Sequence, residues 1–169
     1  MYRIIGIALV VVSCGGFFWK KVRLLSEKYE NLKEIKKGIT HLKHELSHSV
    51  CELPLIFKKV SQLTEGAVSD VFKNIGTELS ENEISDMKLL WENSGGKDLL
   101  LTDSAKKVTE ELIYNMGKKE LDTEIEKIES AVVSLEQIEK DEREKTQKDK
   151  KLLCTVGASF AATVVVLFI

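Results

Sequence analysis

The chain has 169 residues, 43% hydrophobic and 31% charged, with a formal net charge of -2. A single Pro, 10 Gly and the absence of Asn-Gly or Asp-Gly dipeptides argue against an all-β sandwich or barrel. Three Cys, at 14, 51 and 154, do not make a secreted disulfide framework, and the slight acidic excess gives no general attraction to nucleic acid.

The charge is unevenly spread. Ile4–Trp19 and Leu152–Ile169 hold no charged residue, every Asp and Glu lies between them, and Arg3 is the only cation outside 20–151. As helices the two runs span roughly 24 Å and 27 Å, short but sufficient for a hydrocarbon core of about 30 Å. They are expected to be transmembrane helices, assigned to residues 1–21 and 152–169. Phe17, Phe18 and Trp19 would anchor the first at the interface. Lys20, Lys21 and Arg23 follow it, and Lys145, Lys148, Lys150 and Lys151 precede the second, so the positive-inside rule places the middle of the chain in the cytoplasm. A rival reading takes Val11-Val12-Ser13-Cys14 as a lipobox, with a lipidated Cys14 and an exported domain. Another makes 152–169 a buried core helix. Gly157, Ala158, Ala161 and Ala162 put small residues four apart, a pattern suited to helix packing within the membrane or to homo-oligomer contacts.

Residues 22–138 are expected to form an all-α bundle of about six helices. The first carries apolar residues at 25, 29, 32, 35, 39, 42, 46 and 50, one stripe at steps of three or four. Leu53-Pro54-Leu55 breaks it and opens a short second helix lined by Leu55, Ile56, Val60 and Leu63. Ala67, Val68, Val71, Phe72, Ile75 and Leu79 mark a third. Ser80-Glu81-Asn82-Glu83 has capping-box spacing and is expected to start a fourth through Ile84, Met87, Leu90 and Trp91. Asn93-Ser94-Gly95-Gly96 is a loop leading through Leu99, Leu100 and Leu101 to candidate N-cap residues at 102–104. The fifth helix runs through Ala105, Val108, Leu112, Ile113 and Met116 to Gly117. The sixth carries Leu121, Ile125, Ile128, Val132, Leu135 and Ile138 at near-heptad spacing. Residues 139–151 hold 11 charges in 13 positions, a composition that fits a solvated helical stalk or a disordered segment.

Little here reads as chemistry. His41, His44, His48 and Cys51 share the polar face of the first helix, opposite Ile39, Leu42 and Leu46, so a metal site is sterically open. Exposed His on a polar face is ordinary, and no metal is expected. The acid pairs Glu110-Glu111 and Glu124 with Glu126 read as solvated faces. No nucleophile elbow or phosphate loop is present, so neither an enzyme nor a cofactor is expected. Mixed-charge helices between two spans point to a surface that receives other proteins.

The order of these features resembles one family, the bacterial stage III sporulation protein AB family. The likeness rests on the short span ending in aromatic and basic residues, on Leu32, Ile39 and Leu42, and on Leu53-Pro54-Leu55 at the place of a Pro-Leu-Pro-like turn. It continues with Trp91 ahead of the Leu-rich loop, with Met116-Gly117, and with a sixth helix that runs into a charged segment and a final span. Glu52, Glu120 and Glu124 depart from the family pattern. The resemblance implies a membrane protein made in the mother cell and placed in the membrane around the forespore, within the channel complex linking the two compartments. It implies a helical domain similar to platform proteins of type II secretion and type IV pili. It also implies anchoring of a cytosolic ATPase, stage III sporulation protein AA, alongside other channel subunits. The candidate docking residues are Leu53, Pro54, Leu55, Leu99, Leu100 and Leu101, apolar side chains beside helix breaks and expected to be exposed. The competing reading is a membrane-tethered coiled-coil scaffold or signalling protein, with 121–151 as an extended dimer.

Overall fold

The computed structural model describes residues 2–48, 52–81, 86–117 and 120–168. In the terminal segments it describes side chains only at Gly16, from Trp19 to Leu152, and at 155–157, 159 and 163. Among the described residues there are six α-helices and no strand: α1 (Tyr2–His48), α2 (Leu53–Leu63), α3 (Gly66–Glu81), α4 (Met87–Asn93), α5 (Asp103–Tyr114) and α6 (Leu121–Phe168), with a 3-10 turn at Gly96–Asp98. The chain divides into two units, Met1–Glu27 with Asp141–Ile169, and Lys28–Lys140.

The Lys28–Lys140 unit is built on the stripes read from the sequence. Leu32, Ile35, Ile39 and Leu42 of α1 are fully buried, as are Ile56, Phe57 and Val60 of α2 and Val68, Phe72 and Ile75 of α3. At 3.6 residues per turn their spacing brings each set to one face, and burying such a side chain contributes about 1.5–3 kcal/mol. From α6, Ile128, Ala131 and Leu135 join the same core. Leu121 is 52% exposed, so the stripe of this helix begins one turn later than its first leucine. α1 and α6 are linked by Lys36–Glu139, by Lys43–Glu129 at 3.1 Å, and by the Tyr29 hydroxyl donating to Glu139 at 3.5 Å. Glu139, grouped by composition with the charged stalk, is therefore part of this helix pair. Exposed ion pairs of this kind add about 0–1 kcal/mol each, so the apolar stripes carry the packing.

Two glycines set close approaches. A Cβ on Gly38 would lie 2.4 Å from Phe72 Cε2, so α1 offers bare backbone where the ring of α3 packs, and Phe72 in turn meets Phe57 with ring centroids 6.0 Å apart. A Cβ on Gly96 would lie 2.2 Å from Trp91 Cε2. Gly96→Ala is expected to destabilise the unit by about 1–3 kcal/mol through overpacking against the indole. Chemical denaturation of the protein checks this, and an unchanged midpoint would contradict the packing described.

The start of the fourth helix needs correction. Ser80 and Glu81 belong to α3, the Ser80 hydroxyl donating to the Thr77 carbonyl at 2.8 Å and accepting from Lys58 Nζ at 3.0 Å. With that hydroxyl occupied, the N-cap of α4 falls to Asp86, whose carboxylate accepts from the Lys88 N–H at 3.0 Å. Ile84 lies outside the described residues, as do Val50 and Cys51. Residues 139–151 are helical and continuous with the rest of α6.

Candidate partner-docking site

The break between α1 and α2 shapes the first candidate element. Glu52 has extended backbone (φ -66°, ψ 145°) and its carbonyl accepts from the N–H groups of Leu55 and Ile56 at 3.0 and 3.2 Å. Pro54 sits in the first turn, where a missing N–H leaves no helical bond unmade. Gly76 of α3 fixes this turn from the other side: a Cβ there would lie 3.0 Å from the Pro54 carbonyl oxygen and 2.9 Å from Lys58 Cγ. α2 thus directs Ile56 and Phe57 into the core and leaves Leu55 48% exposed, with Leu53 and Pro54 half-buried and Glu52 exposed beside them. An exposed leucine on a backbone pinned from both sides costs little ordering when a partner covers it.

The second element is arranged otherwise. Gly95 adopts φ +89°, a conformation that favours glycine, and the chain turns through Gly96–Asp98 under the Trp91 ring. Leu99 and Leu101 are 6% and 7% exposed and belong to the core; only Leu100 is half-exposed. Its carbonyl accepts from Asn31 Nδ2 of α1 at 3.2 Å, holding the segment down. The expected exposure of this leucine run is therefore limited to Leu100, because alternate residues of an extended segment face opposite ways and the outer two face inward.

Glu124 is a further correction. Only 8% exposed, it is no solvated acid: its carboxylate accepts from the Gly117 N–H at 2.6 Å, where Gly117 has φ +80°. The contact closes the turn after α5; Glu110 lies equally far from Gly117 in the sequence, so spacing alone does not single Glu124 out. Glu111 and Glu126 are exposed, as expected. Among the described residues no group of His, Cys, Asp or Glu could hold a metal; His44 and His48 are exposed and stack on each other with centroids 4.6 Å apart.

A groove of about 210 Å³ between α5 and α6 was not anticipated. Val108, Leu112 and Ala131 supply apolar wall, with Glu111, Lys127 and Ser130 at the rim. The available signal was Ser130-Ala131 followed by Ser134, side chains too small to fill the space between two helices. At the end of α5, Tyr114 lies under Lys88, whose ammonium is 5.8 Å from the ring centroid, and burial, then Glu110 and Glu92, raise its phenol above the ordinary value.

Among the described residues no helix is long and apolar enough to cross a membrane. Of the small residues expected to pack in a membrane, Gly157 is half-buried, and the side chains of Ala158, Ala161 and Ala162 lie outside those described. Trp19, Leu152 and Val156 are 78%, 61% and 50% exposed.

Comparison with known proteins gives one family. The family model described as stage III sporulation protein AB matches residues 3–169. A solved structure titled "Stage III sporulation protein AB (SpoIIIAB)" is similar to this chain with a TM-score of 0.63 and 21% identity, covering 72% of this chain and 97% of its own. A search of curated proteins finds no match. At that identity the structural likeness speaks for the fold alone.

Proposed function

The chain belongs to the stage III sporulation protein AB family, and from that premise we propose that it is a membrane-anchored docking subunit of the channel complex between mother cell and forespore. In this reading Ile4–Trp19 and Leu152–Ile169 span the membrane around the forespore, the Lys28–Lys140 unit faces the mother-cell cytoplasm, and a secretion-type ATPase, stage III sporulation protein AA, docks on it. Its role is to bind partners rather than to catalyse. Other channel subunits and further copies of the chain are additional contacts.

The observation that carries the reading is that α1 and α6 each hold a long uncharged run, Ile4–Trp19 and Leu152–Phe168, while the Lys28–Lys140 unit exposes Leu55 beside Pro54. The exposed Trp19, Leu152 and Val156 support it, since large apolar side chains left in water would be costly and the same side chains in lipid are not. The coiled-coil alternative is weakened because, of the residues that would form its seam, Ile128 and Leu135 are buried in the chain's own core and Val132 and Ile138 pack against it.

Topology tests the reading. A Cys added after Ile169 is expected to react with a membrane-impermeant thiol reagent on intact protoplasts, and a Cys at exposed Asn93 is expected to react only after lysis. The opposite pattern would place the helical unit outside and restore lipidation at Cys14.

A further inference from the structure

Cations are concentrated at the two ends of the chain. Residues 28–140 contain 16 Lys against 22 Asp and Glu, whereas residues 1–27 with 141–169 contain nine cations against five acids. Lys20, Lys21 and Arg23 lie directly after Trp19, and Lys145, Lys148, Lys150 and Lys151 directly before Leu152. All are exposed except Lys150, which is half-buried. Lys145 and Lys148 are paired within their own helix, at 3.2 Å from Glu142 and 3.8 Å from Glu144. Lys20, Lys21, Arg23, Lys150 and Lys151 have no carboxylate at ion-pair distance among the described residues.

We propose that these unpaired cations bind the phosphate groups of anionic phospholipids at the cytoplasmic leaflet, so that the protein gathers anionic lipid around itself. The inference rests on the two-span reading, which puts both clusters at the same leaflet. A cation next to an apolar run sits within a Debye length of about 8–10 Å of the headgroups, where the negative surface potential attracts it. Ammonium groups on flexible stems meet phosphate oxygens without demanding a fixed geometry, and the exposed Trp19 indole beside them suits the same depth. Nucleic acid, the other abundant polyanion, would meet the acidic excess of residues 28–140, whereas lipid headgroups reach the cations one at a time.

The test uses the full chain in phosphatidylcholine nanodiscs carrying a trace of spin-labelled phosphatidylglycerol or spin-labelled phosphatidylcholine. The expected result is a roughly fivefold preference for motionally restricted phosphatidylglycerol at low salt, falling as salt rises. Substituting Lys20→Gln, Lys21→Gln, Lys150→Gln and Lys151→Gln together should remove it. Inorganic phosphate should compete no better than chloride at matched ionic strength; stronger competition would show a free-phosphate site in place of a lipid one. Equal restriction of the two lipids, a preference that survives the fourfold substitution, or its loss on adding an oligonucleotide would each overturn the proposal. Incorporation without preference defeats the lipid inference alone, whereas failure to enter the nanodiscs defeats the two-span reading and the inference with it.

Discussion

Trp91→Ala is expected to lower the stability of the Lys28–Lys140 unit by about 3–5 kcal/mol, close to the whole stability of many small domains. The indole is 1% exposed and Gly96 lies directly against it, so that wall carries no side chain to fill the space. The turn at Gly96 packs against the ring and would lose that surface as well. Leu42→Ala, at a fully buried position of α1, is expected to cost about 2–5 kcal/mol, and His44→Ala, two residues on and on the exposed face, less than about 0.5 kcal/mol. Denaturant titration followed by circular dichroism separates the three. A His44→Ala effect as large as that of Trp91→Ala would mean that the polar face of α1 has been misassigned.

Removal of Leu152–Ile169 is expected to leave the helical unit folded and to abolish sporulation. Stability of the unit comes from stripes that end at Ile138, and the last link between α1 and α6 within it is at Glu139. Among the described residues, no member of that core lies beyond Ile138. A docking platform needs its partner held at a fixed height and orientation, and one span leaves the free end of α6 unrestrained. In the proposed two-span arrangement the helix over 139–151, about 20 Å long, leads into the second span. Sporulation frequency of a strain carrying the truncated protein, with circular dichroism of the purified chain, is the check. Sporulation at the wild-type level would show that the second anchor is unnecessary.

Helix type and most of the core were legible because the apolar stripes of α1, α3 and α6 are long enough for the 3.6-residue period to stand out. Leu32, Ile35, Ile39 and Leu42 needed no tertiary information. Where local signals compete, the sequence misled. Ser80-Glu81-Asn82-Glu83 has the spacing of a cap, but Leu79 packs against the core and Ser80 is bonded within α3 and to Lys58, so that helix continues and Asp86 caps the next. Three leucines after a glycine loop carry no period, and it takes the extended backbone held by Asn31 at the Leu100 carbonyl to turn Leu99 and Leu101 inward. Glu124 could not be told from its acidic neighbours until the turn at Gly117 brought a backbone N–H to it. Of the candidate docking residues, the break at Leu53-Pro54-Leu55 and the exposure of Leu55 beside it were readable from proline chemistry, whereas the close approach of Gly76 to the Pro54 carbonyl is encoded by no local pattern.

The docking role is tested most directly by co-purification of the ATPase with the tagged full-length protein from sporulating cells, comparing wild type with Leu55→Asp. Leu55 is already 48% exposed, so a charge there should leave the fold intact while spoiling an apolar contact. The account predicts recovery of the ATPase with the wild-type protein and at least a tenfold loss with Leu55→Asp at unchanged protein level, a factor that corresponds to about 1.4 kcal/mol of binding. Equal recovery with both proteins would contradict the assignment of the α2 tip, and no ATPase with either would contradict the docking function itself.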